Sequence, residues 1–241
     1  MNELLEPFER MLGSVGGRQV VPQAQWQAIE ESGYLDALVA EEAGGAGVTL
    51  ADVEPLIRAV GRLAIAVPVA ETMAMRALGV AELPRPLSAV LVAVEIAGLA
   101  EHMLEMSLSY ANDRIQFGKP IGKQQAIQHQ LAVMGEQVLM ARMAAQIGCS
   151  AGLHPDPAVA AVAKQVASAA APRITAIAHA VHGAIGITQE FDLQHYSRRM
   201  HALRLAHGSE SYWASILGKV RLAAAEQSSS AFIRALRRNG A

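Results

Sequence analysis

Apolar residues recur at helical spacing along almost the whole chain. Leu4, Leu5, Phe8, Met11 and Leu12 share one face and predict a first helix to about residue 12. The glycines between 13 and 17 predict a break. Pro22 opens a second helical stretch that Gly33 stops. The Gly44-Gly45-Ala46-Gly47 run reads as a loop, and Thr49 as the cap of a helix through Asp52, Leu56, Val60 and Leu63. Residues 79–87, with Pro84 and Pro86, form a second break and the candidate junction between two segments.

Beyond that junction the pattern thickens. Residues 89–111 predict a helix that is apolar nearly all round at its start, and hence buried on several sides. A buried strand over 89–96 is the alternative, because a short apolar run has no diagnostic period. Ile127, Leu131, Met134, Val138 and Met143 mark the next helix. The His154-Pro155-Asp156-Pro157 turn leads into a helix over 157–180, which Pro172 should kink. Residues 198–206 read as a helical connection and 211–238 as one final helix. The prediction is an all-α protein, a bundle of long helices joined by short turns.

Composition narrows the class. The 241 residues are 52% hydrophobic and 17% charged, which excludes a disordered chain. Aromatics are only 4%, so the core must be built from Ala, Val, Leu, Ile and Met. A net charge of −2 gives no basic field for nucleic acid or an anionic membrane. The apolar run from Ala89 to Leu99 is broken by Glu95 and is shorter than the ~18 residues a membrane span takes. One cysteine, Cys149, excludes an intramolecular disulfide. The acidic amino terminus lacks the pattern of a secretory signal. The expectation is a soluble, cytoplasmic protein.

Candidate chemistry is sparse. Asp192 and His195 are spaced like half of a bundle metal site, but one such pair is no site, and no metal is expected. Cys149 lies in an Ala-rich helical run and reads as a small core residue rather than a nucleophile. The stretch Asp113-Arg114-Ile115-Gln116-Phe117-Gly118-Lys119-Pro120 is different. It ends a long helix and offers a planar guanidinium, an aromatic face and a glycine. Those parts suit an anionic, ring-bearing ligand, and they equally suit a helix end with Arg114 serving the macrodipole. His182-Gly183-Ala184-Ile185-Gly186 is a second small-residue turn after a helix, with amides that could face a diphosphate. Its glycine spacing is not that of a dinucleotide fold.

Taken together, these stretches resemble the acyl-CoA dehydrogenase family. The resemblance rests on Tyr110-Ala-Asn-Asp-Arg-Ile-Gln-Phe-Gly-Lys-Pro-Ile-Gly122, on Gln125-Ala-Ile-Gln128, and on Val181-His-Gly-Ala-Ile-Gly-Ile187 with Glu190 and Arg198-Arg199. Gly33 to Gly47 and Pro68-Val-Ala-Glu-Thr72 resemble the family's amino-terminal helical domain. Family members oxidise the Cα–Cβ bond of an acyl-CoA thioester; a glutamate removes the α-proton and FAD takes the hydride. The resemblance implies that Arg114, Gln116 and Phe117 sit near the adenine and diphosphate of a FAD belonging largely to a neighbouring subunit. It implies that Gly183 and Ala184 line the diphosphate. Ala180 and Ala184 stand where the family often has Gln and Gly.

Two departures follow from the same alignment. The family holds a β domain of about a hundred residues between its two helical domains, a domain in its own right. Here the expected division is 1–80 amino-terminal helical, 81–88 linker and 89–241 carboxy-terminal bundle, which leaves no room for that domain. The family's catalytic glutamate precedes a glycine that corresponds to Gly208, and the residue here is His207; the alternative position falls near Ser88. An imidazole could serve as a base near neutral pH. The expected activity is α,β-oxidation of an acyl-CoA, of a steroid or lipid side chain, as the subunit lacking the base in a heteromeric complex. The competing expectation is a structural remnant that binds no FAD. Either version implies a homo-oligomer or a hetero-oligomer with a full-length homologue, without nucleic acid or membrane.

Overall fold

A computed structural model describes residues 2–15, 22–224 and 228–239. Among them are ten α-helices: α1 (Asn2–Val15), α2 (Pro22–Glu31), α3 (Leu50–Arg62), α4 (Val69–Leu78), α5 (Arg85–Asp113), α6 (Gln125–Cys149), α7 (Pro157–His182), α8 (Leu193–Leu205), α9 (Glu210–Ala223) and α10 (Ser229–Asn239). The strands are two residues each, β1 (Ile115–Gln116) and β2 (Lys119–Pro120), paired antiparallel. The all-α expectation holds.

The centre is a three-helix stack of α5, α6 and α7, with α8 and α9 laid on α7 and α3 laid on α5. Residues 87–100 of α5 are buried without interruption, as an apolar run wrapped by α3, α6, α7 and α8 must be. The run is helical, not a strand, and it starts at Arg85, four residues before the expected 89, with Pro86 in the first turn where its missing N–H costs nothing. The whole helix is long and apolar enough to cross a membrane, yet 83% of its most apolar window is covered by the rest of the fold. It is a core helix.

Helix α3 begins where the sequence placed it. Thr49 and Asp52 form a reciprocal capping box, each side chain accepting from the other's backbone N–H. Against α5 it lies backbone to backbone. A Cβ on Gly61 would strike the Glu95 carbonyl, and one on Gly98 would strike the Arg58 carbonyl. Arg58 then reaches Glu101 at 2.7 Å and Arg62 reaches Glu105 at 2.6 Å. Between α4 and α5 the connection is residues 79–84, opened by Gly79 at φ +64°. No strand lies in it.

Three sequence expectations change. α1 continues through Gly13 to Val15, so the break expected at 13–17 begins later, and residues 16–21 lie outside the described part. α7 extends past the expected residue 180 to His182, with Pro172 inside it; Thr175 Oγ1 donates to the Ala171 and Pro172 carbonyls in the turn that follows the proline. The single final helix is two, α9 ending at Ala223 and α10 starting at Ser229; residues 225–227 are outside the described part.

Candidate functional site

α5 ends in a short hairpin. The Arg114 N–H closes the last turn on the Tyr110 carbonyl at 2.8 Å, and Ile121 N–H returns to the Arg114 carbonyl at 2.8 Å. Ile115 then pairs with Pro120 and Gln116 with Lys119. The two turn residues, Phe117 at φ +52° and Gly118 at φ +77°, are both left-handed, which is the turn that suits a two-residue hairpin. Glycine takes this conformation freely; phenylalanine does not. Phe117 is nonetheless held there, 92% exposed. Arg114 and Gln116 are exposed beside it, and Arg114 forms no ion pair with the described residues.

The second motif lies at the carboxy end of α7. Gly183 takes φ +63° and ψ −142°, a region open to glycine, and starts a 3₁₀ turn over Gly183–Ile187. Gly183 and Ala184 are exposed. His182, just before them, is buried and donates from Nδ1 to the Ala178 carbonyl at 2.8 Å. Burial lowers its pKa, so the ring is neutral around pH 7. The Tyr110 ring stacks on it with centroids 4.6 Å apart, and Phe191 packs at 4.9 Å. Beneath this stack Ala111, Ile121, Leu131 and Val181 make a small apolar cluster of their own. The structure therefore brings the roots of both motifs to one end of the bundle.

His207 is elsewhere. The carbonyl of Gly208 accepts from Lys164 Nζ at 3.0 Å, and Lys164 lies eighteen residues before His182 on α7, so ~27 Å of helix separates the His207 turn from Gly183. The His207 backbone is left-handed at φ +55° and its side chain is exposed. Ser88 is buried, its hydroxyl turned back toward the Pro84 carbonyl. Glu210, the nearest carboxylate, is gripped by Arg204 through both oxygens, and that contact lowers its pKa. Neither base position holds an acid.

Other sequence candidates resolve plainly. Among the described residues no three His, Cys, Asp or Glu side chains gather as a metal site, Asp192 and His195 included. Cys149 is 1% exposed, and burial pushes its thiol well above the ordinary range, which makes it inert. Among the buried ionic groups that escaped sequence reasoning, two lie in apolar helical runs. Glu95, 2% exposed, is paired with Arg199 at 2.8 Å, and burial raises its pKa to about 7. Lys164 is fully buried, with a pKa lowered to about 8 by burial. Each is the lone charge in an apolar helical run, and that was the available signal.

Residues 86–222 match the family model described as acyl-CoA dehydrogenase, C-terminal domain. That is more than half of the chain. The chain belongs to the acyl-CoA dehydrogenase family. It is 35% identical over 168 residues to the acyl-CoA dehydrogenase IpdE2 of Mycolicibacterium smegmatis, covering 70% of this chain and 49% of that protein. The chain thus spans about half the length, or less, of the curated relatives it matches. A butyryl-CoA dehydrogenase structure from Megasphaera elsdenii is 28% identical, covering 62% of this chain and 38% of that one, at a TM-score of 0.51. A chain of the ChsE4–ChsE5 complex from Mycobacterium tuberculosis shares the fold over 95% of this chain and 98% of its own length, with a TM-score of 0.77 at 16% identity.

Acyl-CoA dehydrogenases are FAD-dependent. The described residues fit one part of such a cofactor. An uncommitted guanidinium, an exposed ring on a strained turn and a glycine turn stand at one end of the bundle, a donor and surface set suited to a diphosphate and an adenine. Nothing resembling the family's β domain is present among them.

Proposed function

We propose that this chain is one subunit of a two-chain, FAD-dependent acyl-CoA dehydrogenase, and that its 114–117 hairpin closes over a FAD held mainly by a full-length homologue. The observation that carries the reading is Phe117. A bulky residue in the left-handed region with its ring almost wholly in water is unfavourable on both counts, and the arrangement makes sense once a ligand or partner covers it. Arg114 would donate to the diphosphate, Phe117 would offer its face to the adenine, Gln116 would hydrogen-bond at that end, and the Gly183–Ala184 backbone would lie along the diphosphate. FAD would supply the hydride acceptor for oxidation of the acyl Cα–Cβ bond.

The ~27 Å between Gly183 and the His207 turn supports placing the two against different parts of the bound ligands. The hairpin serves the partner's flavin, and His207 stands on the turn that corresponds to the family's base position. With His207 and Ser88 at the base positions and Glu210 tied to Arg204, the carboxylate that removes the α-proton comes from the partner. The six-residue connection 79–84 supports the division into two helical units, 1–80 and 89–241, joined by a linker in place of a sheet. We place the protein in the cytoplasm. The substrate we propose is an acyl-CoA with a steroid or lipid side chain, a reading compatible with the fold shared with the Tcur3481–Tcur3483 steroid ACAD at 17% identity.

The test is Arg114→Ala in the assembly co-expressed with a full-length homologue. Loss of one charge-assisted contact to a diphosphate should weaken flavin retention at least about tenfold. Unchanged flavin affinity would sink the proposal. The second reading, a structural subunit that touches no FAD, is favoured by the missing base and would gain from that result.

A further inference from the structure

The Lys164 ammonium sits at the centre of an unusually complete set of contacts. Its three N–H groups are shared among four acceptors: Ser168 Oγ at 2.8 Å and the carbonyls of Leu203 at 3.1 Å, Arg204 at 2.9 Å and Gly208 at 3.0 Å. These carbonyls are the free end of α8 and the turn after it, where a cation is favoured. Trp213 Nε1 donates to the His207 carbonyl at 3.1 Å. Gly208, at φ +107°, has no room for a side chain: a Cβ there would lie 2.6 Å from Tyr212 Cδ1 and 2.8 Å from Trp213 Nε1. Apart from the Ser168 hydroxyl, every acceptor here is a backbone carbonyl of the 203–208 turn. None restrains the His207 imidazole, which is exposed and takes no hydrogen bond among the described residues. A non-glycine residue held left-handed, with its backbone pinned and its side chain left free, is a turn built to present that side chain.

We propose that Lys164 is a positioning residue: its buried ammonium locks the Leu203, Arg204 and Gly208 carbonyls and so presents the exposed His207 imidazole to the acyl-CoA of the proposed two-chain complex. The inference deepens the reading above and borrows from it only the identity of the ligand that His207 meets. The locking itself is a property of this chain alone. The groups facing the ammonium are Ser168 from its own helix, Arg204 from α8 and Glu210 from α9. Glu210 favours the charged form, while Arg204 and burial oppose it.

Two measurements on the full chain test this. The first is diethyl pyrocarbonate modification of His207, followed by peptide mass spectrometry, in wild type, Lys164→Met and Lys164→Arg. Removing the charge should change the His207 rate and its pH profile several-fold, while His102 and His154, remote in sequence from the turn, keep theirs; Lys164→Arg should move His207 back toward wild type. A purely packing role would leave the pH profile of His207 in place, and that result overturns the proposal. The second measurement needs no variant, which matters if Lys164→Met fails to fold. Amide hydrogen exchange of wild type, corrected for intrinsic rates, should show protection over 203–208 falling about tenfold between pH 7 and pH 9.5, with the α5 core unchanged. The Arg204–Glu210 pair stays charged across that range, so a selective loss belongs to Lys164. Uniform protection at both pH values overturns the proposal. Either outcome is independent of flavin or of a partner.

Discussion

Tyr110 and His182 stack with ring centroids 4.6 Å apart, and this contact joins the two sequence motifs that lie 72 positions apart in the chain. Tyr110 carries the hairpin, because its carbonyl holds the Arg114 N–H. His182 carries the glycine turn, because it is the last residue of α7. Replacing Tyr110 by Ala should cost roughly 2 kcal/mol, from a half-buried aromatic face and its stacking partner. Urea unfolding of the isolated chain measures that loss. Flavin retention in the assembly should fall with it, since the ring contact that joins the hairpin end of α5 to the glycine turn is lost while Arg114 and Phe117 remain.

Glu95 sets a pH dependence. Its folded pKa of about 7 lies above the ordinary value of 4.5, so between those values the folded state holds a proton that the unfolded chain has released. Stability therefore falls as pH rises through that window, by up to about 3 kcal/mol for this group. Glu95→Gln keeps an acceptor for Arg199 and should flatten the slope between pH 5 and 7.5. Thermal unfolding across that range, wild type beside variant, gives the check. A stability that rises with pH in wild type would contradict the raised pKa.

Arg199→Met makes the opposite change at the same place. It leaves Glu95 with no cation at 2.8 Å. The cost should be about 3–5 kcal/mol at pH 8, where the carboxylate is charged, and smaller at pH 5, where it is neutral. Chemical denaturation at the two pH values distinguishes this from simple loss of packing.

Gly98→Val tests the crossing of α3 over α5. The new side chain meets the Arg58 backbone, which cannot rotate away. The helices must part, and the Arg58–Glu101 and Arg62–Glu105 pairs part with them. A loss above about 2 kcal/mol is expected, with faster hydrogen exchange confined first to α3. Neutral behaviour would show that the two helices do not approach as described.

The sequence made the helices legible because apolar spacing and caps are local. Thr49 with Asp52, Gly33 and Gly79 each marked an end that the structure confirms. Boundaries near glycine were less legible. Gly13 stays helical since one glycine costs only about 1 kcal/mol in a helix interior. Pro172 was legible as internal to α7, where packing on α5, α6, α8 and α9 offsets the lost hydrogen bond. The hairpin residues were readable as a motif, but their exposure and left-handed backbone were not, since both depend on register. Lys164 and Glu95 went unread because partners 39 to 104 positions away decide whether a buried charge is satisfied. The separation of His207 from Gly183 could be seen only once α7 was known to be continuous.

The most direct test of the central claim is flavin per chain, released by heat and quantified, in the isolated protein and in the assembly with a full-length homologue. Oxidised flavin absorbs near 450 nm, which makes the count simple. The isolated chain should carry almost none, and the assembly should carry flavin that acyl-CoA bleaches and that Arg114→Ala or Phe117→Asp depletes. An assembly whose flavin content is indifferent to both substitutions would contradict the claim that this hairpin completes the site.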